Sequence, residues 1–367
     1  MSSRKGAGRA GQTPPARAVT IKDLAAELEL SITTISRALN GYSDVGKATR
    51  ERVIAAADQM GYRPNRNAQR LVMRRTHNIG WVQLDNERKF LDPHFVEVMS
   101  GVLRGARAAQ YDVVLTSAAT DRELTTYDRY VKDRSVDGFI VDLPRDDDAR
   151  ISYLLAAGRP FVVHGREQRA DQYGWVDVDN YECFYRLFRL LIANGHRRIA
   201  FINGDETFNY ALYRARAARH AVADGGLPAG ALTILNSAHP MGDAGHRLTE
   251  RVLEDKTTTA LVYSSSLMAV EGQAVLQRAA DRRLALASID DGLHYLDLGQ
   301  LAGKVTYLRS SLHDAGVALI EELARQCDGG HAPRGTLVPM TFQVLPGWDA
   351  SGLDVPLPMK RRAASPT

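Results

Sequence analysis

A chain of 367 residues that is 44% hydrophobic and 25% charged holds enough apolar surface for two or three domains, which excludes a disordered chain or a small disulfide-stapled scaffold. Its two cysteines, Cys183 and Cys327, lie too far apart for a disulfide framework or a four-cysteine zinc site and point to a reducing compartment. Residues 1–75 carry 14 Lys/Arg against 6 Asp/Glu while residues 76–367 carry 33 against 37, so a basic head precedes a mildly acidic body. Clustered cations of this kind suit a polyanion, although a solvated surface face explains the charge alone equally well. No stretch approaches the roughly 18 apolar residues of a membrane span, and the polar start from Met1 to Arg17 lacks the apolar core of a signal peptide. The expectation is a chain neither exported nor inserted, working in the cytoplasm.

Residues 1–18 are Gly, Ala, Ser, Pro and Arg without periodicity and read as a flexible basic tail. Their one GxGxxG, at Gly6, Gly8 and Gly11, has neither a strand before it nor a helix after it and is read as chance. From Thr20 the period turns helical: Ile21, Leu24, Ala25 and Leu28 share a face, with Thr20 placed to cap the start. After a short joint at Glu29 and Leu30, Ser31 caps a second helix that puts Ile35, Ala38 and Leu39 inward and Thr33, Thr34 and Arg37 elsewhere. A third helix runs from about Lys47 to Met60, stopped by Gly61 with Pro64 beyond. Helix, tight joint and capped helix with a polar outer face is the helix-turn-helix layout, whose second helix enters the major groove of DNA. Residues 64–76, rich in arginine, form one more helical pattern too short to be stable alone in water.

From residue 77 to about 350, apolar strand patterns alternate with amphipathic helices. Strands are expected at Asn78–Leu84, Tyr111–Thr116, Val136–Val141, Pro160–His164, Arg198–Asn203, Thr259–Tyr263, Leu284–Ile289 and Lys304–Leu308, with helices such as Phe95–Ala109 and Tyr181–Asn194 between them. Two successive sets of this α/β pattern suggest two similar lobes with parallel sheets. There is no Walker A, GxSxG, HExxH or CxxC pattern, His94, His164, His239 and His313 have no metal-ligand spacing, and Asp146, Asp147 and Asp148 read as a solvated loop. Neither an enzyme nor a metal site is expected.

Residues 19–85, VTIKDLAAELELSITTISRALNGYSDVGKATRERVIAAADQMGYRPNRNAQRLVMRRTHNIGWVQLD, closely resemble the N-terminal region of the lactose and galactose repressor (LacI/GalR) family of bacterial transcription regulators, and the order of motifs continues to about residue 350. The resemblance implies an N-terminal helix-turn-helix domain (19–63), a hinge helix (64–76), a two-lobed core like the periplasmic sugar-binding proteins (77–350) and a C-terminal tail (351–367). It also implies a homodimer or tetramer on pseudo-palindromic double-stranded operator DNA, with a small-molecule effector between the lobes.

Position by position, the resemblance places base contacts at Ile32, Thr33 and Arg37. Arg37 is suited to fork onto guanine O6 and N7, Thr33 to donate or accept, and Ile32 to pack on a thymine methyl, unless Ile32 is buried in the core. Thr20, Ser31, Thr34, Asn40 and Tyr62 fall where the family contacts phosphates. Leu71, flanked by Ala68 and Arg70, falls on the hinge-helix leucine that wedges into the minor groove, with packing against a dimer mate as the plainer role.

In the core, Arg214, ten residues after Gly204, matches the family's ligand-gripping arginine. Asp92, Pro93 and Phe95 open the first core helix at the cleft wall, and Asp290 of SIDD ends a strand there. His164 and Arg166 follow another strand, and Phe208 and Tyr210 offer rings for a sugar face. Ser265 and Ser266 stand where the family usually has Asn-Asp, a departure that alters a helix cap and a ligand contact. No cofactor is implied, only an effector that leans toward a mono- or disaccharide. The expected function is a repressor of a carbohydrate-utilisation operon. The rivals are a corepressor-driven regulator, as purine regulators in the family are, a purely ligand-binding protein, and an enzyme borrowing the fold.

Overall fold

The structure, a computed structural model, describes residues 19–39, 41–62, 75–85, 89–239, 242–279, 281–293, 296, 298, 301, 303–329 and 331–353. The expectations for residues 1–18, Asn40, the hinge segment 63–74 and the tail beyond 353 lie outside them. The chain divides into two compact units between Arg75 and Thr76.

Among the described residues the first unit is three helices, α1 (Ile21–Leu28), α2 (Ile32–Leu39) and α3 (Lys47–Met60). A reciprocal cap opens α1: Thr20 Oγ1 accepts from the Asp23 backbone N–H, and the Asp23 carboxylate accepts from the Thr20 N–H at 2.7 Å. Glu29 ends the helix in the left-handed conformation at φ 54°, and the Leu30 N–H returns to the Ala25 carbonyl. The Ser31 hydroxyl then accepts from the Thr34 N–H at 3.0 Å, and α2 starts at the next residue. Leu24, Ile35 and Val53 meet at the centre, fully buried, with Ala38, Ala57, Val45 and Tyr62 around them. In so small a core local devices matter. Thr20→Ala is expected to cost α1 about 1 kcal/mol, seen as roughly fivefold faster hydrogen exchange of α1 amides; unchanged exchange would show the cap to be idle.

The second unit holds two sheets. β1 (Asn78–Leu84), β2 (Asp112–Ala118), β3 (Gly138–Asp142), β4 (Phe161–His164) and β5 (Gly174–Asp177) alternate with helices α4 (Pro93–Ala108), α5 (Glu123–Asp133) and α6 (Ala149–Ala156). The chain then gives α7 (Asn180–Ala193), β6 (Ile199–Asn203), α8 (Asn209–Asp224), β7 (Leu232–Asn236), α9 (Ala244–Glu254), β8 (Ala260–Tyr263), α10 (Ser266–Arg278), β9 (Ala285–Asp290) and β10 (Val305–Arg309). It closes with α11 (Leu312–Gly329), β11 (Gly335–Leu337) and β12 (Thr341–Gln343).

One sheet runs β11-β5-β4-β3-β1-β2 and the other β12-β10-β9-β8-β6-β7; all neighbours are parallel except β12, which pairs antiparallel with β10. Central strands such as β3 and β8 are buried along their whole length, as parallel strands covered by helices on both faces must be. In each lobe the second strand lies outside the first, so the strand order reverses between β1 and β3 and again between β6 and β8.

The chain passes between lobes three times, at 177–180, 309–312 and 337–341. The second passage returns α11 to the first lobe, where Ala315, Leu319, Ile320 and Leu323 pack with Ile79, Val98 and Val102. Glycines allow that approach: a Cβ on Gly101 would collide with the His313 carbonyl oxygen, and one on Gly316 with the Val98 carbonyl oxygen. The eight expected strands are all present, within two residues at each end, while β5, β7, β11 and β12 are additional. Among the described residues no helix is long and apolar enough to cross a membrane.

Candidate functional site

Two surfaces stand out, one in each unit. In the head, the turns of α2 that bury Ile35 and Ala38 turn Ile32, Thr33 and Arg37 outward. Ile32 is 45% exposed, which removes the core-burial alternative, because Ile35 fills that place. Thr34 and Ser31 join hydroxyl to hydroxyl at 2.8 Å, and the Thr20 hydroxyl donates to Asp23 at 2.7 Å, so these three already serve the helix starts. The Tyr62 ring packs into the head core, and burial pushes its phenol pKa up. Asn40, Ala68, Arg70 and Leu71 lie outside the described residues.

In the larger unit a cavity of about 810 Å³ opens between the lobes. It lies where the C-terminal ends of both sets of strands converge: Leu84, Asp142, His164 and Asp177 from one lobe and Ser264, Asp291 and Ser310 from the other. Crevices beside a reversal of strand order are where open parallel sheets hold ligands.

Of the residues expected at this site, Asp92, Phe95, His164, Phe208, Tyr210, Arg214 and Ser265 line the cavity. Pro93, Arg166 and Asp290 do not. Pro93 occupies the first turn of α4, behind the Asp92 cap. Arg166 donates through Nε to Asp177 Oδ2 at 2.9 Å and covers the Trp175 ring. Asp290 stands opposite Arg309 in the β9–β10 register and pairs with it at 3.1 Å, so the next residue, Asp291, faces the cavity in its place. Sequence reasoning chose the first aspartate of SIDD, and only the strand register separates the two.

Arg214 is 7% exposed. Its Nε donates to Asn180 Oδ1 at 2.7 Å and its Nη1 to the Ser264 carbonyl at 2.8 Å. The guanidinium carbon lies 4.7 Å from the centre of the Phe184 ring and 5.1 Å from that of Tyr210. Burial lowers its pKa, with the charge of Asp291 opposing.

His94, which sequence reasoning passed over, joins the lobes. Its Nδ1 meets Asp92 Oδ1 at 2.9 Å, within its own lobe, and its Nε2 meets Asp291 Oδ2 at 3.4 Å and Ser265 Oγ at 3.2 Å, across the cleft. Burial alone would lower its pKa, but the hydrogen bonds and charges of Asp291 and Asp92 outweigh it and push the imidazole up to about 10. The Asp291 carboxylate therefore meets an imidazolium. Ser265 also caps α10, accepting from the Leu267 N–H at 3.2 Å. Its neighbour Ser266 is fully buried, with its hydroxyl lacking a hydrogen-bond partner.

A second bridge is made by the loop after β3. The Pro144 carbonyl accepts from the Asn209 N–H at 3.1 Å, and the Arg145 guanidinium sits 5.1 Å from the Phe208 ring centre. At the far wall burial pushes the Asp177 carboxyl up to about 6, against the pull of Arg166.

Ten carboxylate side chains and three arginines line the cavity, a balance that repels anions and offers acceptors to hydroxyl groups. Trp81, Phe95, Phe208 and Tyr210 add ring surface; Trp81 and Phe95 pack at 5.1 Å. Among the described residues no group of three or more His, Cys, Asp and Glu is arranged to hold a metal ion.

Residues 20–65 match the family of bacterial regulatory proteins called lacI, and residues 76–292 match the periplasmic binding proteins and sugar-binding domain of the LacI family. The chain is 36% identical over 310 residues to the HTH-type transcriptional regulator AglR of Rhizobium meliloti, covering 83% of this chain and 87% of that protein. It is similar in structure to the transcriptional regulator CelR in complex with cellobiose, at TM-score 0.62 and 25% identity over 89% of this chain and 98% of that one. It also shares the fold of the Lac repressor dimer bound to operator and the anti-inducer ONPF, at TM-score 0.74 and 20% identity over 89% and 98% of the respective chains.

Proposed function

The chain belongs to the LacI family and is a DNA-binding transcriptional regulator, not an enzyme; from that premise we propose that it is a cytoplasmic repressor whose hold on operator DNA is set by a neutral saccharide bound between the lobes. The lining of the cavity carries this reading. An excess of carboxylates disfavours a phosphorylated or otherwise anionic ligand, accepts hydrogen bonds from hydroxyls and leaves ring faces for the apolar side of a sugar. Arg214 adds a fixed fork at the cavity wall, its Nε and Nη1 tied to Asn180 and Ser264, with further N–H donors on its terminal nitrogens to offer a ligand. A volume near 810 Å³ admits a disaccharide as readily as a monosaccharide. The CelR structure, which holds cellobiose, supports the same class.

On DNA, Ile32, Thr33 and Arg37 supply the outward face that reads bases in the major groove. A homodimer fits a two-fold operator, and an exposed apolar stripe on α4, Val96 and Leu103, with Leu91 beside its start, offers a surface for a second copy.

The test is a titration of the protein onto palindromic DNA from its own upstream region, at two salt concentrations because phosphate contacts make affinity salt-dependent, with a panel of mono- and disaccharides. Tight binding shifted several-fold by one saccharide is the expected result, and the sign of the shift distinguishes inducer from corepressor. Specific binding that no neutral sugar moves, but an anionic metabolite does, would overturn the effector assignment.

A further inference from the structure

The base-reading arginine does not stand alone. The loop at 41–46, between α2 and α3, is held from behind by Arg50 of α3, whose Nη2 donates to the Tyr42 carbonyl at 2.6 Å and to the Val45 carbonyl at 3.3 Å. Val45 is buried in the head core, and the Tyr42 N–H closes back on the Arg37 carbonyl at 3.1 Å. The loop is thus anchored at both ends, and what it presents is fixed. It presents two groups to one side chain: the Tyr42 ring, whose centre lies 5.3 Å from the Arg37 guanidinium carbon, and the Asp44 carboxylate. Asp44 takes the side edge of the fork, Oδ1 accepting from Arg37 Nε at 3.2 Å and Oδ2 from Nη2.

A guanidinium has five N–H donors, one on Nε and two on each terminal nitrogen. A carboxylate on the Nε–Nη2 edge leaves the end edge, one N–H from each terminal nitrogen, clear of that pair. That end pair is the one that matches guanine O6 and N7. Both partners are about half exposed, so the ion pair adds little stability; what it supplies is orientation, since a free arginine side chain would have to be ordered at the moment of binding.

We propose that Asp44 is a positioning residue for sequence choice: held on a loop clamped by Arg50, it locks the Arg37 fork end-on toward the base it reads. The proposal rests on Arg37 reading a base, and the experiment separates the two.

The full chain is used to select sites from a randomised palindromic duplex pool, and base preference is read by sequencing for the wild type, R37A, D44N and the R37A/D44N double variant. Wild type and R37A should differ at one base pair per half-site. D44N is expected to lose preference at that same pair by roughly tenfold, with the other positions unchanged and the double variant no worse there than R37A. Binding to unselected DNA should rise slightly in D44N, because a negative charge near phosphates has gone. A D44N variant that keeps the full preference and only binds all sequences more tightly overturns the positioning role. An R37A variant that keeps the preference overturns the reading of Arg37 itself, and the role of Asp44 with it.

Discussion

Arg214→Ala abolishes the response to effector and leaves operator affinity at the wild-type level. The side chain is an inner tie of the cavity, bound to Asn180 and the Ser264 carbonyl and flanked by two aromatic rings. Truncation takes away the donor for the ligand and leaves two acceptors facing the space where a charge stood. Losing one partner of a buried, hydrogen-bonded charged set costs about 2–5 kcal/mol, a fall in effector affinity of roughly thirtyfold or more. Arg214→Lys keeps the charge but not the fork, and should recover little of it. Trp81, in the cavity wall, provides an intrinsic fluorescence signal for saccharide binding, and the DNA titration gives the second readout. DNA binding is spared because the head has its own core within residues 19–62. A normal effector response in Arg214→Ala would remove this residue from the site.

The cleft of the ligand-free protein loosens as pH rises from about 7 toward 10, and His94→Gln flattens that dependence. His94 is raised in the closed arrangement, from the ordinary 6.5 to about 10. A raised histidine stabilises most below its ordinary value and gives that stabilisation up as pH climbs through the raised one. Asp92 shares a lobe with His94 and keeps its hold when the cleft opens, so only the share owed to Asp291 is linked to closure. The Tyr210 phenol, pushed up to about 12 by burial, stays protonated through this window. Solution scattering of the apoprotein across the pH range reads the opening as a growing radius of gyration. An equal pH response in His94→Gln would place the switch in another group.

What the sequence disclosed follows from the range of the interactions involved. The head was legible because its devices are local: a cap three residues long, a 3.6-residue apolar period and a glycine stop at Gly61. Central strands such as β1 and β6 show as continuous apolar runs because both faces are covered. β7 is half exposed and β11 fully exposed, and at three to five residues such edge strands carry no run to detect. The cavity was legible where one residue sufficed, as for Arg214, and illegible where a pair was needed. Nothing near His94 announces that Asp291 will meet it, and nothing in SIDD says that Arg309 will claim the first aspartate. The packing of the Tyr62 ring was illegible for a related reason, since it completes a core assembled from all three helices.

The return of α11 to the first lobe has a consequence for how the protein is born. Everything the head needs to fold has left the ribosome once residue 62 is clear, but the first lobe waits for residues 312–337 to supply the partner of α4 and its edge strand. At roughly 5–20 residues per second, a nascent chain carries a finished head for tens of seconds before the cavity exists. A message translated close to the operator would thus display heads able to touch DNA but still without an effector cleft, and a chain stalled or cut before α11 would remain so.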